Sequence, residues 1–243
     1  MMVHDSIIKS EHVVFPPRLI EHQQMTKHEM NFDHKSGGSS SYCDEILGRK
    51  LNTDVKSSLS AAEDVQFLSN YYSYAKFPAN YLTHLPTKDI ISNKNSEGIH
   101  THRLARGMAH YLKLFPDFID NVDFIVSVPN ESNDWYSKFK ANSIANNLSL
   151  YIKQFYKKNI PTKQFLKKTM KTNMKFMWRK ERHDFFIKNP NVYCVTSDSN
   201  FEEKTVLLVD DIITSGATMG SCLDKIISSG GKAYCFAAAQ TMS

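Results

Sequence analysis

The sequence predicts an α/β protein with a doubly wound, mainly parallel sheet. Near-continuous apolar runs, which are typical of strands buried on both faces, occur at residues 122–128, 205–209 and 233–239. Stretches with helical apolar spacing lie between or before these runs, at residues 102–115, 136–156 and 217–228. Apolar strands that alternate with helices form a parallel sheet with helices on both faces.

The chain has 243 residues, 41% of them hydrophobic, which suits one large domain or an ordinary domain with an appendage. Residues 1–60 show little periodicity and include the Gly and Ser run at 36–41, so we assign them to a partly flexible N-terminal extension. Residues 61–243 form the predicted folded domain. The chain has neither a run of roughly 18 apolar residues nor an apolar signal region at its start, which predicts a cytoplasmic protein without membrane association.

The predicted elements of the first half follow from local patterns. Residues 65–77, VQFLSNYYSYAKF, are aromatic and periodic. A helix is predicted over 102–115 because four apolar side chains share one face, namely Leu104, Met108, Tyr111 and Leu112. The apolar run from Val122 is a strand that Pro129 ends, and a polar turn separates it from the helix over 136–156.

The second half begins with a basic region that Pro161 and Pro190 interrupt. The strand at 205–209 and the helix at 217–228 come next, and the apolar face of that helix consists of Met219, Cys222, Leu223, Ile226 and Ile227. Gly230 and Gly231 end the helix before the strand at 233–239, because glycine readily adopts the left-handed conformation of a helix C-terminus.

Positive charge is concentrated in residues 151–190, which contain twelve Lys and Arg residues against Glu181 and Asp184. This excess indicates a polyanionic partner, either a phosphorylated small molecule or a nucleic acid. Five aromatic residues of the segment are candidates for base stacking: Phe155, Tyr156, Phe165, Phe176 and Trp178. The alternative for Phe155 is a core position, and the alternative for each lysine is an ordinary solvated face.

The cysteines and histidines are less informative about function than the basic residues. The four cysteines, Cys43, Cys194, Cys222 and Cys235, are far apart and form no C-x-x-C pair, so we expect buried thiols. The ten histidines include the H-x-H pair His100 and His102, but no recognised ligand pattern surrounds them. Ordinary surface or core positions are therefore the favoured interpretation for the histidines.

Residues 205–218, TVLLVDDIITSGAT, carry the most informative motif. Asp210 and Asp211 follow an apolar strand, at the end where open α/β sheets bind ligands. The residues after them open a helix with hydroxyls and exposed amides that suit one phosphate: Thr214, Ser215, Gly216, Ala217 and Thr218. Carboxylates beside a phosphate site need hydroxyl groups or a cation opposite them, so the motif predicts a sugar phosphate with its diol on the acids.

This motif closely resembles the phosphoribosyl pyrophosphate (PRPP) signature of the type I phosphoribosyltransferases. Within that superfamily the chain is most similar to the ComF-like group, which is associated with competence and DNA uptake. The similarity covers roughly residues 120–240 and includes the strand IVSVP at 125–129, FLKK at 165–168 with Thr172, and RKER at 179–182. The resemblance implies the doubly wound sheet of the type I phosphoribosyltransferase kind.

The resemblance also implies roles for particular residues. The pyrophosphate loop would consist of Val128, Pro129, Asn130, Glu131 and Ser132. A mobile basic cover over 167–182 would supply the cations Lys168, Lys175, Arg179 and Arg182. Asp210, Asp211 and Arg182 would be the catalytic residues, and Mg²⁺ would bind to the two aspartates directly or through PRPP.

The same resemblance limits the acceptor. Hypoxanthine-guanine phosphoribosyltransferases have an aspartate where this chain has Thr214, which cannot act as a carboxylate base, so a 6-oxopurine is disfavoured. Any acceptor-recognising segment has to precede Val122, where Tyr71, Tyr72, Tyr74 and Phe77 are equally consistent with core positions. The acceptor and the oligomeric state remain open.

Three functions follow, in order of preference. The first is a Mg²⁺-dependent phosphoribosyltransferase, and the second is a PRPP-sensing regulator with the same pocket and no catalysis. The third is a competence-type DNA-uptake factor that binds single-stranded DNA through Lys167, Lys168 and Lys171. The third function is compatible with either of the others.

Overall fold

The computed structural model describes residues 66–95, 99–112, 116–129, 140–170, 172, 177 and 179–241. The predicted extension over 1–60 lies outside these residues. The strands are β1 (Gln66–Tyr71), β2 (Phe124–Ser127), β3 (Thr162–Lys163), β4 (Leu166–Lys168), β5 (Tyr193–Val195), β6 (Thr205–Ile213) and β7 (Lys232–Thr241). The helices are α1 (Pro78–Thr83), α2 (Leu85–Asn95), α3 (Ile99–Tyr111), α4 (Pro116–Asn121), α5 (Lys140–Tyr156), α6 (Arg179–Lys188) and α7 (Ala217–Ser228).

A five-stranded sheet in the order β1-β7-β6-β2-β3 is the centre of the fold, and all its pairings are parallel. Side chains alternate between its faces along β6. Leu207 and Val209 pack into a core with α3 and α5, whereas Val206 and Leu208 pack into a second core with α7. The chain is therefore an α/β protein whose mainly parallel sheet carries helices on both faces, as its apolar runs predict.

Helical spacing identified the buried faces of the helices correctly. Leu104, Met108, Tyr111 and Leu112 are all buried, and so are Ile144, Leu148 and Ile152 of α5. The boundaries differ, because the helix predicted over 102–115 begins earlier, at Ile99, and ends at Tyr111. The helix predicted from residue 136 begins at Lys140, and residues 130–139 lie outside the described ones.

Several strands differ from the prediction: the short strands β3, β4 and β5 were not predicted, and two further differences bear on the candidate site. The first, β1, was not predicted, and it pairs with β7 at the edge of the sheet. The second, β6, continues to Ile213 instead of ending at Val209, since its later residues still pair with β7. The pairing of Asp210 with Ala237 and of Ile212 with Ala239 keeps the acidic residues inside the strand.

The direction of strand addition reverses between β2 and β6. The connection from β2 through α5 places β3 on one side of β2, while the connection from β6 through α7 places β7 on the other side. The two connecting helices cover opposite faces, since Ile144 of α5 belongs to one core and Leu223 of α7 to the other. A reversal of this kind leaves a crevice at the carboxyl ends of the two strands.

The basic segment forms a small unit beside the sheet. Strands β4 and β5 form a separate two-stranded antiparallel sheet, and α6 lies between them in the sequence. Phe165 fixes this two-stranded sheet to the central sheet, because its ring packs edge-on against Phe124 at 5.2 Å and Phe201 at 5.5 Å. Within the described residues, no helix combines the length and the apolar character needed to cross a bilayer.

Candidate functional site

The crevice lies where β2 and β6 stop pairing. Ser127 is the last residue of β2 in register with β6, opposite Val209, and the Val128 amide then donates a 2.8 Å hydrogen bond to the Val209 carbonyl oxygen. This bond brings the start of the predicted pyrophosphate loop next to Asp210. Val128 is buried and Pro129 is half-buried. The remaining predicted loop residues, Asn130, Glu131 and Ser132, lie outside the described residues.

The two acidic residues of the motif are not equivalent. Asp210 is only 9% exposed, whereas Asp211 is half-buried. Each carboxylate accepts a 2.8 Å hydrogen bond from the next backbone amide, Asp210 from Asp211 and Asp211 from Ile212. The higher exposure of Asp211 makes it the more accessible of the two.

The neighbours of the two acids differ as well. The charge of Asp210 acts on the Cys222 thiol of α7, whose pKa is raised first by burial and then by Asp210. The charge of Asp211 acts on Tyr71 at the end of β1, whose pKa is raised by burial, by Tyr81 and by Asp211. Asp210 thus lies toward α7, and Asp211 lies toward an aromatic group at the end of β1.

The predicted phosphate turn leads into α7. Gly216 precedes the helix in the left-handed conformation, at φ 77°, and contributes no side-chain cap. The first helical bond runs from the Gly220 amide to the Gly216 carbonyl at 2.8 Å, so the amides of residues 217–219 precede the helical ladder. The Ala217 amide has a weak contact with Ser215 Oγ at 3.4 Å, and Thr214 Oγ1 lies 3.2 Å from Thr241 Oγ1.

Lys168 is a predicted cation whose charge acts on α7, the helix that follows this turn. It is half-buried in β4, and its charge lowers the pKa of the same Cys222 thiol that Asp210 raises. Lys168 and Asp210 therefore act on one common side chain. Arg182 is half-buried in α6, where its Nε donates a 3.1 Å hydrogen bond to the Met177 carbonyl oxygen. Lys175 and the side chain of Arg179 are not among the groups that the structure describes.

The aromatic residues of the basic segment do not provide an open stacking surface where they are described. Phe155 and Tyr156 pack against the core, and the Tyr156 hydroxyl donates a 2.7 Å hydrogen bond to the Ala109 carbonyl oxygen. Phe165 packs into the second core. Phe176 and Trp178 are outside the described residues, so the stacking prediction for them stays a prediction.

The residues around the turn suit Mg²⁺ only as partners of a phosphorylated ligand. Among the described residues, no three His, Cys, Asp or Glu side chains form a metal-binding group. Mg²⁺ in proteins is often held by one or two carboxylates together with phosphates and waters, and Asp210 and Asp211 supply such carboxylates. The cysteines give no metal site or disulfide here: Cys194, Cys222 and Cys235 are thiols, and Cys43 lies outside the described residues.

The site also includes residues that sequence reasoning did not assign to it. Tyr71 packs partly against the core, as one of the two interpretations predicts, and the charge of Asp211 is one of the causes that raise its pKa. Tyr72, Tyr74 and Phe77 belong to neither core in the described part of the chain. The sequence signal for this segment was the density of aromatic residues at 71–84. That signal could not be placed at the site without β1, a strand that was not predicted.

The sequence matches no protein-family model, and no curated protein matches it.

Proposed function

We propose that this chain is a Mg²⁺-dependent phosphoribosyltransferase of the type I superfamily, most similar to the ComF-like group, with a doubly wound sheet of that kind. The observation that carries the proposal is the hydrogen bond from Val128 to Val209 at the reversal of strand order. It joins the start of the predicted pyrophosphate loop to the strand that bears Asp210 and Asp211. Crevices at such reversals are where open α/β sheets bind ligands.

The chemistry of PRPP matches the groups at this edge. The ribose hydroxyls would donate hydrogen bonds to Asp211, the more accessible acid, and the 5-phosphate would accept from amides at the start of α7. Gly216 supports this arrangement because its left-handed conformation turns the chain into the helix with no side chain in the way. Lys168 and Arg182 are the candidate cations for the pyrophosphate.

In the proposed transfer, a lone pair of the acceptor forms a bond to C1 of the ribose. The bond from C1 to the pyrophosphate oxygen breaks, and its electron pair leaves with pyrophosphate, while any proton on the attacking atom passes to water. Positive charge develops on the ribose ring, which the carboxylates of Asp210 and Asp211 stabilise. Mg²⁺ bound with PRPP would offset the charge of the departing pyrophosphate.

The proposal is tested by thermal unfolding with and without Mg²⁺ and PRPP. A ligand at 100 times its Kd stabilises the native state by about 2.7 kcal/mol, which corresponds to a Tm increase of roughly 5–10 °C for a domain of this size. The shift should require both Mg²⁺ and PRPP. No shift at millimolar PRPP would rule the proposal out.

Asp211→Asn is the informative variant, because it removes charge-assisted hydrogen bonds of about 1.5–3 kcal/mol and should weaken PRPP binding by roughly 10- to 100-fold. Asp120→Asn is the matched control, since Asp120 lies on α4, before the amino end of β2, with its side chain 79% exposed. Equal PRPP affinity in Asp211→Asn and the wild type would contradict the assignment of the diol. Pyrophosphate release across an acceptor panel then separates a transferase from the alternative, a PRPP-sensing regulator.

A further inference from the structure

Helices α3 and α5 lie side by side on one face of the sheet and run in the same direction. His102 Nδ1 of α3 lies 3.2 Å from the Tyr151 hydroxyl of α5. Further along both helices, the Tyr156 hydroxyl donates a 2.7 Å hydrogen bond to the Ala109 carbonyl oxygen. The outer sides of the two helices therefore form one continuous surface.

The outer sides of the two helices share one pattern, an exposed aliphatic residue followed by two cations at helical spacing. We call the six residues of this pattern the basic outer face: Ile99, Arg103 and Arg106 on α3, and Leu150, Lys153 and Lys157 on or directly after α5. Ile99 is 55% exposed and Leu150 is 62% exposed. The two lysines are exposed, whereas the two arginines are half-buried. One exposed aliphatic residue is ordinary on a protein surface, but here two occupy corresponding positions on adjacent helices.

The basic outer face has an apolar end and a positively charged end. Ile99 precedes His102 by about one helical turn. Leu150 directly precedes Tyr151, the residue that His102 contacts. Both aliphatic residues thus lie before this contact along their helices, and the four cations lie after it. Apolar and positive groups are segregated on this surface, which is typical of a surface that matches an amphipathic partner.

The positive charge of this face is not offset by acids at its surface. Neither α3 nor α5 contains Asp or Glu, although the chain has 25 acidic residues. An acid of α2, Asp89, approaches from below and lies 2.6 Å from His100 Nδ1 and 3.3 Å from an Arg103 terminal nitrogen. Its side chain is only 1% exposed, so it offsets part of the charge from within and presents no negative charge to a partner. Charge complementarity therefore favours an acidic partner.

We infer that the basic outer face is a docking surface for an acidic amphipathic helix of a partner protein. Side chains on one face of a helix recur every three or four residues, a repeat of about 4.5–6 Å. The cations of the basic outer face are also three residues apart on α3 and four residues apart on α5, so successive carboxylates of the partner can pair with them. Apolar side chains at one end of the partner's face cover Ile99 and Leu150.

The other polyanions fit this surface less well. The phosphates of a nucleic acid pair with Lys and Arg, but its backbone offers no apolar surface to Ile99 and Leu150. An anionic membrane favours cations on extended side chains that reach its headgroups. The arginines of the basic outer face are half-buried, and Arg103 is held by Asp89. None of the six residues belongs to the candidate PRPP site, so docking at this face does not depend on the proposed function.

The test uses the full chain and a fluorescent helical peptide of about 18 residues, long enough to form a helix in water. One face of the peptide carries leucine in its first turns and glutamate in its last turns. Two contrast peptides replace the glutamates by glutamine or the leucines by serine. In fluorescence anisotropy we expect the acidic peptide to bind, each contrast peptide to bind at least tenfold more weakly, and salt to weaken the binding of the acidic peptide.

Variants of exposed residues connect this binding to the basic outer face. Leu150→Ser should weaken binding of the acidic peptide about tenfold, the effect of removing one covered aliphatic side chain. Lys153→Gln and Lys157→Gln should each weaken it about two- to fivefold, as expected for exposed ion pairs. Leu82→Ser and Lys188→Gln are the matched controls, because Leu82 is 58% exposed on α1 and Lys188 is exposed on α6.

Absence of acidic-peptide binding to the wild type at about 1 mM, or equal binding by the face variants and the controls, would overturn the inference. The same variants are measured with single-stranded DNA and with vesicles that contain phosphatidylserine. If the face variants impair binding of DNA or vesicles but not of the peptide, the partner class is wrong. Peptide binding that depends on the face residues supports the inference whether or not DNA or vesicles also bind.

Thermal shifts with Mg²⁺ and PRPP, measured on the same samples, separate this docking surface from the proposed function. All face variants should show the wild-type shift. A wild type that binds the peptide through the basic outer face but shows no shift with PRPP retains the docking surface and loses the proposed function. The opposite result retains the proposed function and removes the docking surface.

Discussion

The amide of Val128 donates a 2.8 Å hydrogen bond to the carbonyl oxygen of Val209, and this bond follows the last paired residues of β2 and β6. Past Val209, β6 continues in register with β7 as far as Ile213. One side of β6 is therefore fixed by β7 at the position of the acids, while its other side borders the loop after β2. The part of β6 that bears the two acids is therefore paired on one side only, and its unpaired side borders the crevice.

Gly216→Ala should weaken binding of Mg²⁺ and PRPP and also lower stability. Gly216 has φ 77°, and an alanine in the left-handed region costs about 1–2 kcal/mol. The added β-carbon also lies at the start of α7, where the proposed phosphate approaches the backbone. We expect at least a tenfold loss of PRPP affinity in calorimetric titration.

Gly230→Ala is the control for backbone strain. Gly230 has φ 84°, but it follows the C-terminus of α7, at the opposite end of the helix from Gly216. Its added β-carbon would lie 3.3 Å from the Glu202 Cα atom, so this variant should be destabilised at least as much. If both variants lose PRPP affinity equally, the loss reflects stability, and the phosphate assignment to the turn is wrong.

Lys168→Met should weaken PRPP binding, whereas Lys167→Met should leave it unchanged. Lys168 is half-buried and shares the neighbourhood of Cys222 with Asp210, while Lys167 is the exposed residue next to it in β4. Removing one cation that contacts a phosphate should lower affinity by roughly tenfold, as for a charged hydrogen bond. Isothermal titration with Mg²⁺ and PRPP measures the difference between the two variants.

The same pair of variants tests the single-stranded DNA hypothesis. The logarithm of the DNA-binding constant falls linearly with the logarithm of the salt concentration, and loss of one phosphate contact at an exposed lysine reduces the slope of this line by about one. If the two-stranded sheet of β4 and β5 contacts DNA, Lys167→Met should weaken binding to single-stranded DNA and reduce that slope. DNA binding that is unchanged in Lys167→Met removes this residue from the hypothesis.

The elements that could be predicted are those whose apolar residues are contiguous or regularly spaced. The central strand β6 and the helix α7 follow from runs such as 205–209 and from the spacing of Met219, Cys222 and Ile226, all of which are buried. Strands that are buried on both faces of a parallel sheet are apolar almost throughout, so such runs can be recognised without knowledge of distant contacts.

Strand β1 could not be predicted because its buried residues include polar ones. Ser69 and Asn70 are 1% and 8% exposed, and their positions depend on pairing with β7, far along the chain. The side-chain amide nitrogen of Asn70 donates a 3.3 Å hydrogen bond to the Tyr72 hydroxyl. The hydrogen bonding of this buried side chain therefore depends on the following aromatic segment as well. The end of β6 was predicted too early for a related reason, since acidic residues rarely continue a buried strand unless a neighbour pairs with them.

The residue types of the candidate site could be read from the motif, but their environments could not. Asp210 and Asp211 are adjacent in the sequence, yet the charge of Asp210 acts on Cys222 of α7 and the charge of Asp211 acts on Tyr71 at the end of β1. Which acid is accessible depends on how these elements pack. That difference is the reason Asp211, rather than Asp210, is the variant chosen to test ligand binding.

Asp224→Asn should stabilise the protein above pH 6. Burial raises the pKa of Asp224 to about 6 from 3.8, so the native state holds a proton that the unfolded state has lost between these values. Stability therefore falls as the pH rises through this window. Because the side chain is partly exposed, we discount the effect to about 1–2 kcal/mol, and the asparagine variant should not show this fall.

Urea unfolding of the wild type and the variant at intervals from pH 4 to pH 8 measures this effect, and the difference between the two curves isolates Asp224 from other titrating groups. The stability of the variant relative to the wild type should increase with rising pH and level off above about pH 7. Asp120→Asn is again the control, since its exposed carboxylate should give a small difference throughout. A difference curve for Asp224→Asn that is flat, or that slopes the other way, would mean that the carboxylate is well solvated beside Lys225 in the native state.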